Sequence, residues 1–234
     1  MSSEVYDTGA DPEAAFAAAA DAVRSGRVIV LPTDTVYGVG ANAFSGEAVQ
    51  ALLDAKQRGR DMPPPVLVAE VDMVPALARD VDERVTALAG AFWPGALTLV
   101  LRAHHSLRLD LGDRTDSIAV RVPDHPFTRE LLRRTGPLAV SSANVSGRDA
   151  ALTVADAVDQ LGDSIAVYLD AGEMSGPVPS TIVDLTGPDA RVLREGRITA
   201  EELNHVVPGL IARPEPVPTD QPEHAAEPEP TAGA

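Results

Sequence analysis

Cysteine is absent from all 234 residues, so disulfides, thiolate metal ligands and cysteine nucleophiles are excluded together. Histidine is sparse: of the five in the chain, His104 and His105 are neighbours, His125 precedes a proline, and His205 and His224 lie toward the carboxyl end. None has the spacing of a zinc site, and no resident metal is expected. No run approaches the roughly 18 uninterrupted apolar residues of a membrane span. The opening Met1-Ser2-Ser3-Glu4-Val5 also lacks the basic-then-apolar order of a leader. The expectation is a cytoplasmic protein without membrane contact. Positive charge is in deficit, with 19 Lys and Arg against 35 Asp and Glu and a net charge of -16. That balance opposes wholesale attraction to nucleic acid or anionic lipid, so any polyanion must be met by a local basic patch. Lysine is nearly missing: Lys56 stands beside 18 arginines.

What the chain does have is 44% hydrophobic content, enough for a buried core at this length. From Arg213 on, RPEPVPTDQPEHAAEPEPTAGA carries one arginine, five acidic residues and no large aliphatic side chain except Val217. Such a segment cannot bury enough area to offset its ordering entropy. The expected organisation is one domain over 1–211 and a disordered acidic tail over 212–234. Within the domain, Asp11-Pro12 supplies the N-cap and first turn of a helix running through Phe16 and Val23 to Gly26. Further helices are expected at 46–56, 85–92, 127–134, 154–161 and 200–206. Short β-branched runs place strands at 28–31, 66–68, 98–101, 118–122, 138–141, 165–169, 181–185 and 191–193. Some strands follow one another without a helix, which implies an α/β fold built on an open, twisted, mixed sheet with flanking helices.

Several stretches carry chemistry. Lys56 sits in Ala55-Lys56-Gln57-Arg58-Gly59-Arg60, and the prolines of Asp61-Met62-Pro63-Pro64-Pro65 then impose a rigid extended path. A stiffened cation cluster suits a bound anion, although a base near a helix end also simply offsets the dipole. Lysine is a compact point charge where arginine is a planar fork, so one lysine among arginines marks a place where the fork does not serve. Pro32-Thr33-Asp34-Thr35 presents paired hydroxyls to a ligand. Gly38-Val39-Gly40-Ala41-Asn42-Ala43 imitates a dinucleotide fingerprint, but Phe44-Ser45-Gly46 separates it from the next helix and no acidic residue ends the following strand at the right distance. Ser141-Ser142-Ala143-Asn144-Val145-Ser146-Gly147 follows an apolar strand without the base or elbow of a serine nucleophile. It reads as a phosphate or carboxylate site, or as a capping turn. Arg121, inside an apolar strand, needs a partner and is either a structural ion pair or a bidentate clamp on an anion. Arg194 after Val192-Leu193, and Ser180-Thr181 ahead of Ile182-Val183, pose the same choice.

Taken in order, PTDTVYGVGANAF, AKQRGRD, FWPGALTLVL, IAVRVPDHP, SSANVSG, STIVDL and LREG resemble the YrdC-like threonylcarbamoyl-AMP synthases, over residues from about 12 to 207. The resemblance implies a mixed sheet with a positively charged concave face. It also implies the joining of L-threonine, bicarbonate and ATP into threonylcarbamoyl-adenylate with release of pyrophosphate, for modification of the adenosine beside a tRNA anticodon. On this likeness Lys56 and Arg58 are catalytic and face ATP or the forming carbamate, with Arg60 as a further phosphate contact. Ser117, Ser142, Asn144 and Arg194 would meet the nucleotide. Thr35, Arg121, Val140 and Ser180 would hold threonine, Arg121 by its carboxylate. Asp34 enters only behind these groups, and Mg2+ is expected to ride on the triphosphate. A tRNA-modifying transferase complex is the implied recipient of the adenylate. Two other readings stand beside it. One is a non-catalytic module binding double-stranded RNA weakly, which the net charge of -16 opposes. The other is the carbamoyl-adenylate role of YrdC-like modules in larger maturation proteins, whose zinc fingers a chain without cysteine lacks. The sequence departs from the family pattern at Gly59-Arg60-Asp61-Met62, where many relatives have a proline directly after the Lys-X-Arg motif. Longer relatives also carry a second carboxyl-terminal domain where this chain has its acidic tail.

Overall fold

The computed structural model describes residues 3–104, 106–107, 109–113 and 116–211. The segment 212–234 lies outside the described residues, and with it the expectation of a disordered tail. Eleven strands form one sheet. They are β1 (Glu4–Asp7), β2 (Ile29–Leu31), β3 (Gly38–Asn42), β4 (Val66–Leu67), β5 (Ala78–Arg79), β6 (Leu97–Ala103), β7 (Ser117–Arg121), β8 (Leu138–Ser142), β9 (Val167–Asp170), β10 (Thr181–Asp184) and β11 (Arg191–Arg194). Their spatial order is β1-β9-β2-β3-β8-β4-β7-β6-β10-β11, with β5 beside β6. Parallel pairs (β1 with β9, β2 with β9, β4 with β7, β6 with β10) are interspersed with antiparallel ones, so the sheet is mixed and open.

The helices are α1 (Pro12–Arg24), α2 (Gly46–Ala55), α3 (Val74–Leu77), α4 (Glu83–Phe92), α5 (Pro126–Thr135), α6 (Val154–Leu161) and α7 (Ala200–Val206). Their starts follow from local chemistry. Asp11 accepts from the Ala14 amide ahead of α1, Ser45 from Ala48 ahead of α2, and Asp82 from Val85 ahead of α4. α6 and α7 begin with reciprocal capping boxes, Thr153 with Asp156 and Thr199 with Glu202.

The two faces of the sheet are covered differently. One is packed along its length by α2, α4, α6 and α7, whose Leu52, Leu53, Leu88, Leu161 and Leu203 meet Val39, Val66, Leu99, Val120 and Val183. Each such leucine contributes about 1.5–3 kcal/mol. The other face carries only α1 and α5. Phe16, Val23, Leu131 and Leu132 cover Ile29, Leu31, Leu138 and Leu169, and the Phe16 and Phe127 rings stack with centroids 4.2 Å apart. That roof ends at β8 and β4. Beyond it, period-two alternation sends Ile118 and Val120 of β7, and Leu97 and Leu99 of β6, into the covered core. Ser117, Ala119, Arg121, Thr98 and Val100 are left lining an open cavity on the opposite face.

Several elements differ from the sequence expectation. Residues 38–42, whose glycines imitate a dinucleotide fingerprint in the sequence, form a central strand between β2 and β8. Its glycines are packing requirements rather than a phosphate loop: a Cβ on Gly38 would stand 2.6 Å from Val140 Cγ1, and one on Gly40 2.9 Å from Leu31 Cδ2. The strand expected from residue 165 starts at Val167, because a 3-10 turn over Gly162–Ser164 uses the preceding residues. β1, β5 and α3 carry no strong local signal and form through their neighbours.

Candidate active site

The cavity of about 490 Å3 sits over β7, β6 and β10, walled by the 61–65 loop on one side and β11 on the other. Four arginines (Arg58, Arg121, Arg191, Arg194) line it against two aspartates, Asp61 and Asp184. Of the residues singled out in the sequence, Thr35, Arg58, Ser117, Arg121, Val140, Ser142, Ser180 and Arg194 all line this one space.

At the β8 end the chain leaves α2 through a tight turn. Lys56 closes the helix, and Gln57 takes a left-handed backbone at φ 51°. The Arg58 amide donates back to the Leu53 carbonyl at 2.9 Å and the Gln57 amide to that of Asp54. This left-handed helix stop sends two cations, two residues apart, in different directions. Arg58 enters the cavity. Its NH1 donates to Ser141 Oγ at 3.0 Å, while its Nε is buried with no partner among the described residues. Lys56 turns the other way and is 2% exposed. Its ammonium donates to the carbonyls of Ser142 (2.5 Å) and Asn144 (2.7 Å) and, at 3.5 Å, to Asn144 Oδ1. Burial, and next the charge of Arg58, lower its pKa to about 8.

Three residues expected to contact ligand have protein partners and stand outside the cavity lining. Lys56 is a strut behind the cavity wall, because three oxygens of the 142–144 turn take its donors. The Asn144 side-chain amide donates to the carbonyls of Val145 and Arg148, both at 2.9 Å, and folds the turn on itself. Arg60 is drawn outside by Gln50 at 2.9 Å and by the carboxylates of Asp110 and Asp113. None of these three lines the cavity.

At the other end Arg121 is buried, and three of its five N–H donors are used. Nε donates to the Gly95 carbonyl at 2.9 Å, NH1 to Thr35 Oγ1 at 3.3 Å and NH2 to Asp34 Oδ1 at 2.6 Å. The structural ion pair is thus present, and two donors remain for a ligand. Asp34 also accepts from the Asp124 amide at 3.0 Å, so it belongs to the site more directly than the sequence indicated. Thr33 and Thr35 hydroxyls share a hydrogen bond of 3.1 Å. Across the mouth, Arg194 donates twice to the Ser180 carbonyl and once to Ser180 Oγ, which in turn pairs with Thr98 Oγ1 at 2.9 Å.

Arginines outnumber carboxylates in the lining, four to two. Burial, then the charges of Arg121 and Arg58, lower the Arg194 pKa. Burial also lowers those of Arg58 and Arg121. Buried guanidinium groups, one of them further depressed by its two neighbours, gain from an oxyanion set between them. Sheet register gives the spacing. Arg121 is level with Leu67, which is level with Leu138, and Ser142 lies four residues further along β8. Ser142 is thus offset from Arg121 by about 13 Å along the strands, at the usual rise, and by two strand spacings, about 10 Å, across them. Sequence reasoning missed Thr98, Asp184 and Arg191, and it placed Thr33 and Ser141 in ligand-facing stretches without giving either a role of its own.

The family model Sua5/YciO/YrdC, described as telomere recombination, matches residues 21–196. A Mycobacterium tuberculosis protein provisionally named threonylcarbamoyl-AMP synthase is 48% identical over 207 residues, covering 87% of this chain and 95% of that one. The threonylcarbamoyl-AMP synthase of Bacillus subtilis is 36% identical over 201 residues, 84% of this chain and 57% of the relative. The crystal structure of Pyrococcus abyssi Sua5 complexed with L-threonine superposes with a TM-score of 0.80 at 34% identity, over 84% of this chain and 58% of that one. The chain spans nearly all of the mycobacterial relative and under three fifths of the other two.

Proposed function

The chain belongs to the Sua5/YciO/YrdC family, and from that footing we propose that it is a threonylcarbamoyl-AMP synthase, a nucleotidyltransferase using ATP, L-threonine and bicarbonate. The observation that carries the reading is the convergence of Arg58, Arg121 and Arg194 on one uncovered sheet face, with the buried Arg58 Nε lacking any protein acceptor. All three substrates are anions or carry a carboxylate, and their mutual repulsion is the barrier to assembling them. Arg121, with Thr35 beside it, takes the threonine carboxylate on its two free donors. Arg58, the Ser142 hydroxyl and Ser117 take the phosphates at the β8 end, and Arg194 closes from β11. The offset of about 13 Å along the strands and two strand spacings across them gives amino acid and triphosphate separate ends of the cavity.

The chemistry balances without a protein nucleophile. The threonine amine forms a C–N bond to the carbon of bicarbonate, releasing water. A carbamate oxygen then forms a bond to the α-phosphorus as the α–β anhydride breaks and pyrophosphate leaves. The arginines hold and neutralise; the Lys56 strut keeps the 142–144 turn in place. The described residues offer no cluster of three or more carboxylate or histidine groups, and Mg2+ is assigned to the incoming triphosphate as part of the substrate. The adenylate is passed to a tRNA-modifying transferase in the cytoplasm; among the described residues no helix is long and apolar enough to cross a membrane. No observation favours the double-stranded RNA module. The test is pyrophosphate release from the purified chain, with the adenylate identified by mass. Release is expected only when ATP, bicarbonate and L-threonine are all present, and equal release without threonine refutes the assignment.

A further inference from the structure

We infer that Arg197 is a positioning residue for the amino-acid end of the cavity, an inference that rests on the function proposed above. Arg197 is exposed and is not among the residues that line the cavity. Its NH1 donates to the Asp34 backbone carbonyl and its NH2 to Ser175 Oγ, each at 3.0 Å. Asp34 is thereby held from three directions: Arg197 on its carbonyl, and Arg121 and the Asp124 amide on its carboxylate. Since Thr35 follows Asp34 in the chain and accepts from Arg121, whatever fixes the Asp34 peptide fixes both groups assigned to threonine.

Arg197 is itself aimed by a rigid support. The chain leaving β11 lies so tightly on the start of β10 that a Cβ on Gly196 would stand 2.3 Å from the Pro179 carbonyl oxygen. Thr181 Oγ1 accepts from the amides of Gly196 and Ile198 and donates to the Ile198 carbonyl, and the Arg197 amide donates to Pro179. Residues on both sides of Arg197 are pinned, so its side chain reaches across the mouth from a fixed origin. It adds a second tie between the β2–β3 connection and the 171–180 loop, beside Tyr37, whose hydroxyl donates to the Gly172 carbonyl at 2.7 Å and accepts from the Ala171 amide at 3.0 Å. A planar fork with two donors on separate nitrogens serves two acceptors at once, which an ammonium on a single carbon does less well.

The experiment is steady-state pyrophosphate release by the full chain, varying L-threonine and ATP separately, for the wild type, Arg197→Ala and Arg197→Lys. The expected result for Arg197→Ala is a KM for L-threonine raised about tenfold, the scale of one charge-assisted hydrogen bond. The KM for ATP should stay within about twofold, and Arg197→Lys should recover part of the loss. An unchanged threonine KM in Arg197→Ala overturns the inference and leaves the enzyme assignment standing. So does a joint rise of both KM values with a lowered melting temperature, which marks a loop staple only. A wild type whose pyrophosphate release ignores threonine removes the assignment itself, and the positioning role with it.

Discussion

Two groups of arginines lie on the same side of the sheet and differ in what faces them. On α5, Arg133 pairs with Glu70 and Glu130, and Arg134 with Glu13 and Glu130, and these carboxylates raise both pKa values. Of the three cavity arginines assigned to substrate, Arg58 and Arg194 are oriented by serine oxygens and Arg121 pairs with Asp34, while Arg191, which also lines the cavity, pairs with Asp184. Burial lowers all three. A neutral oxygen fixes where a guanidinium points without cancelling its charge, whereas a carboxylate does both. The surface set is finished by the fold; the cavity set is completed by a ligand.

The contrast is most exposed at Arg58. Its replacement by alanine removes no carboxylate pair, so stability should change by no more than about 1 kcal/mol. Pyrophosphate release, measured as kcat/KM, should fall by about 100-fold to 1000-fold, as for loss of a preorganised donor to developing negative charge. Retention of more than a tenth of the activity places Arg58 with the surface set.

Lys56 makes a finer distinction between strut and ligand. Lys56→Arg keeps the charge but replaces three donors on one nitrogen by a fork, and should cost about 1–3 kcal/mol of stability and roughly tenfold in activity. The pH dependence supplies a second readout. Burial depresses the folded pKa to about 8 against 10.5 for an ordinary lysine. Between those values the unfolded chain binds the extra proton, so this group makes stability rise with pH across that window. The neutral amine has one donor fewer for the 142–144 turn. Activity should therefore decline above about pH 8 while the contribution of Lys56 to stability grows, a divergence visible in paired activity and thermal-melting series. The smallest effect belongs to the surface. Arg134→Ala should leave turnover unchanged and shift the melting temperature only slightly, even though its guanidinium also lies 4.0 Å over the Phe16 ring.

Much of the scaffold was legible because its signals are local. Asp11-Pro12 starts α1, His125-Pro126 starts α5, and alternating apolar residues mark β6 and β7. The cavity residues were legible as types: a buried arginine in a strand and a serine-rich turn after one. Direction was not. Whether Lys56 meets a ligand or a carbonyl depends on a turn 86 residues away in sequence, and whether Arg60 faces inward depends on Asp110, 50 residues away. β1 pairs with β9 across more than 160 residues, and nothing in Glu4–Asp7 announces it. The ion pair of Asp34 with Arg121 was left as one of two readings for the same reason.

The left-handed turn at Gln57 has a bearing on how this segment can change. Lys56 and Arg58 do different work only because one backbone inversion separates them. Adding or deleting a residue here exchanges their directions, putting a compact ammonium toward solvent and a bulky fork where three oxygens meet. The distance between the two cations is accordingly fixed, whereas the stretch beyond Arg58 is free to drift in length and composition. In a comparison of homologous chains, gaps should cluster after the second cation and never between the two.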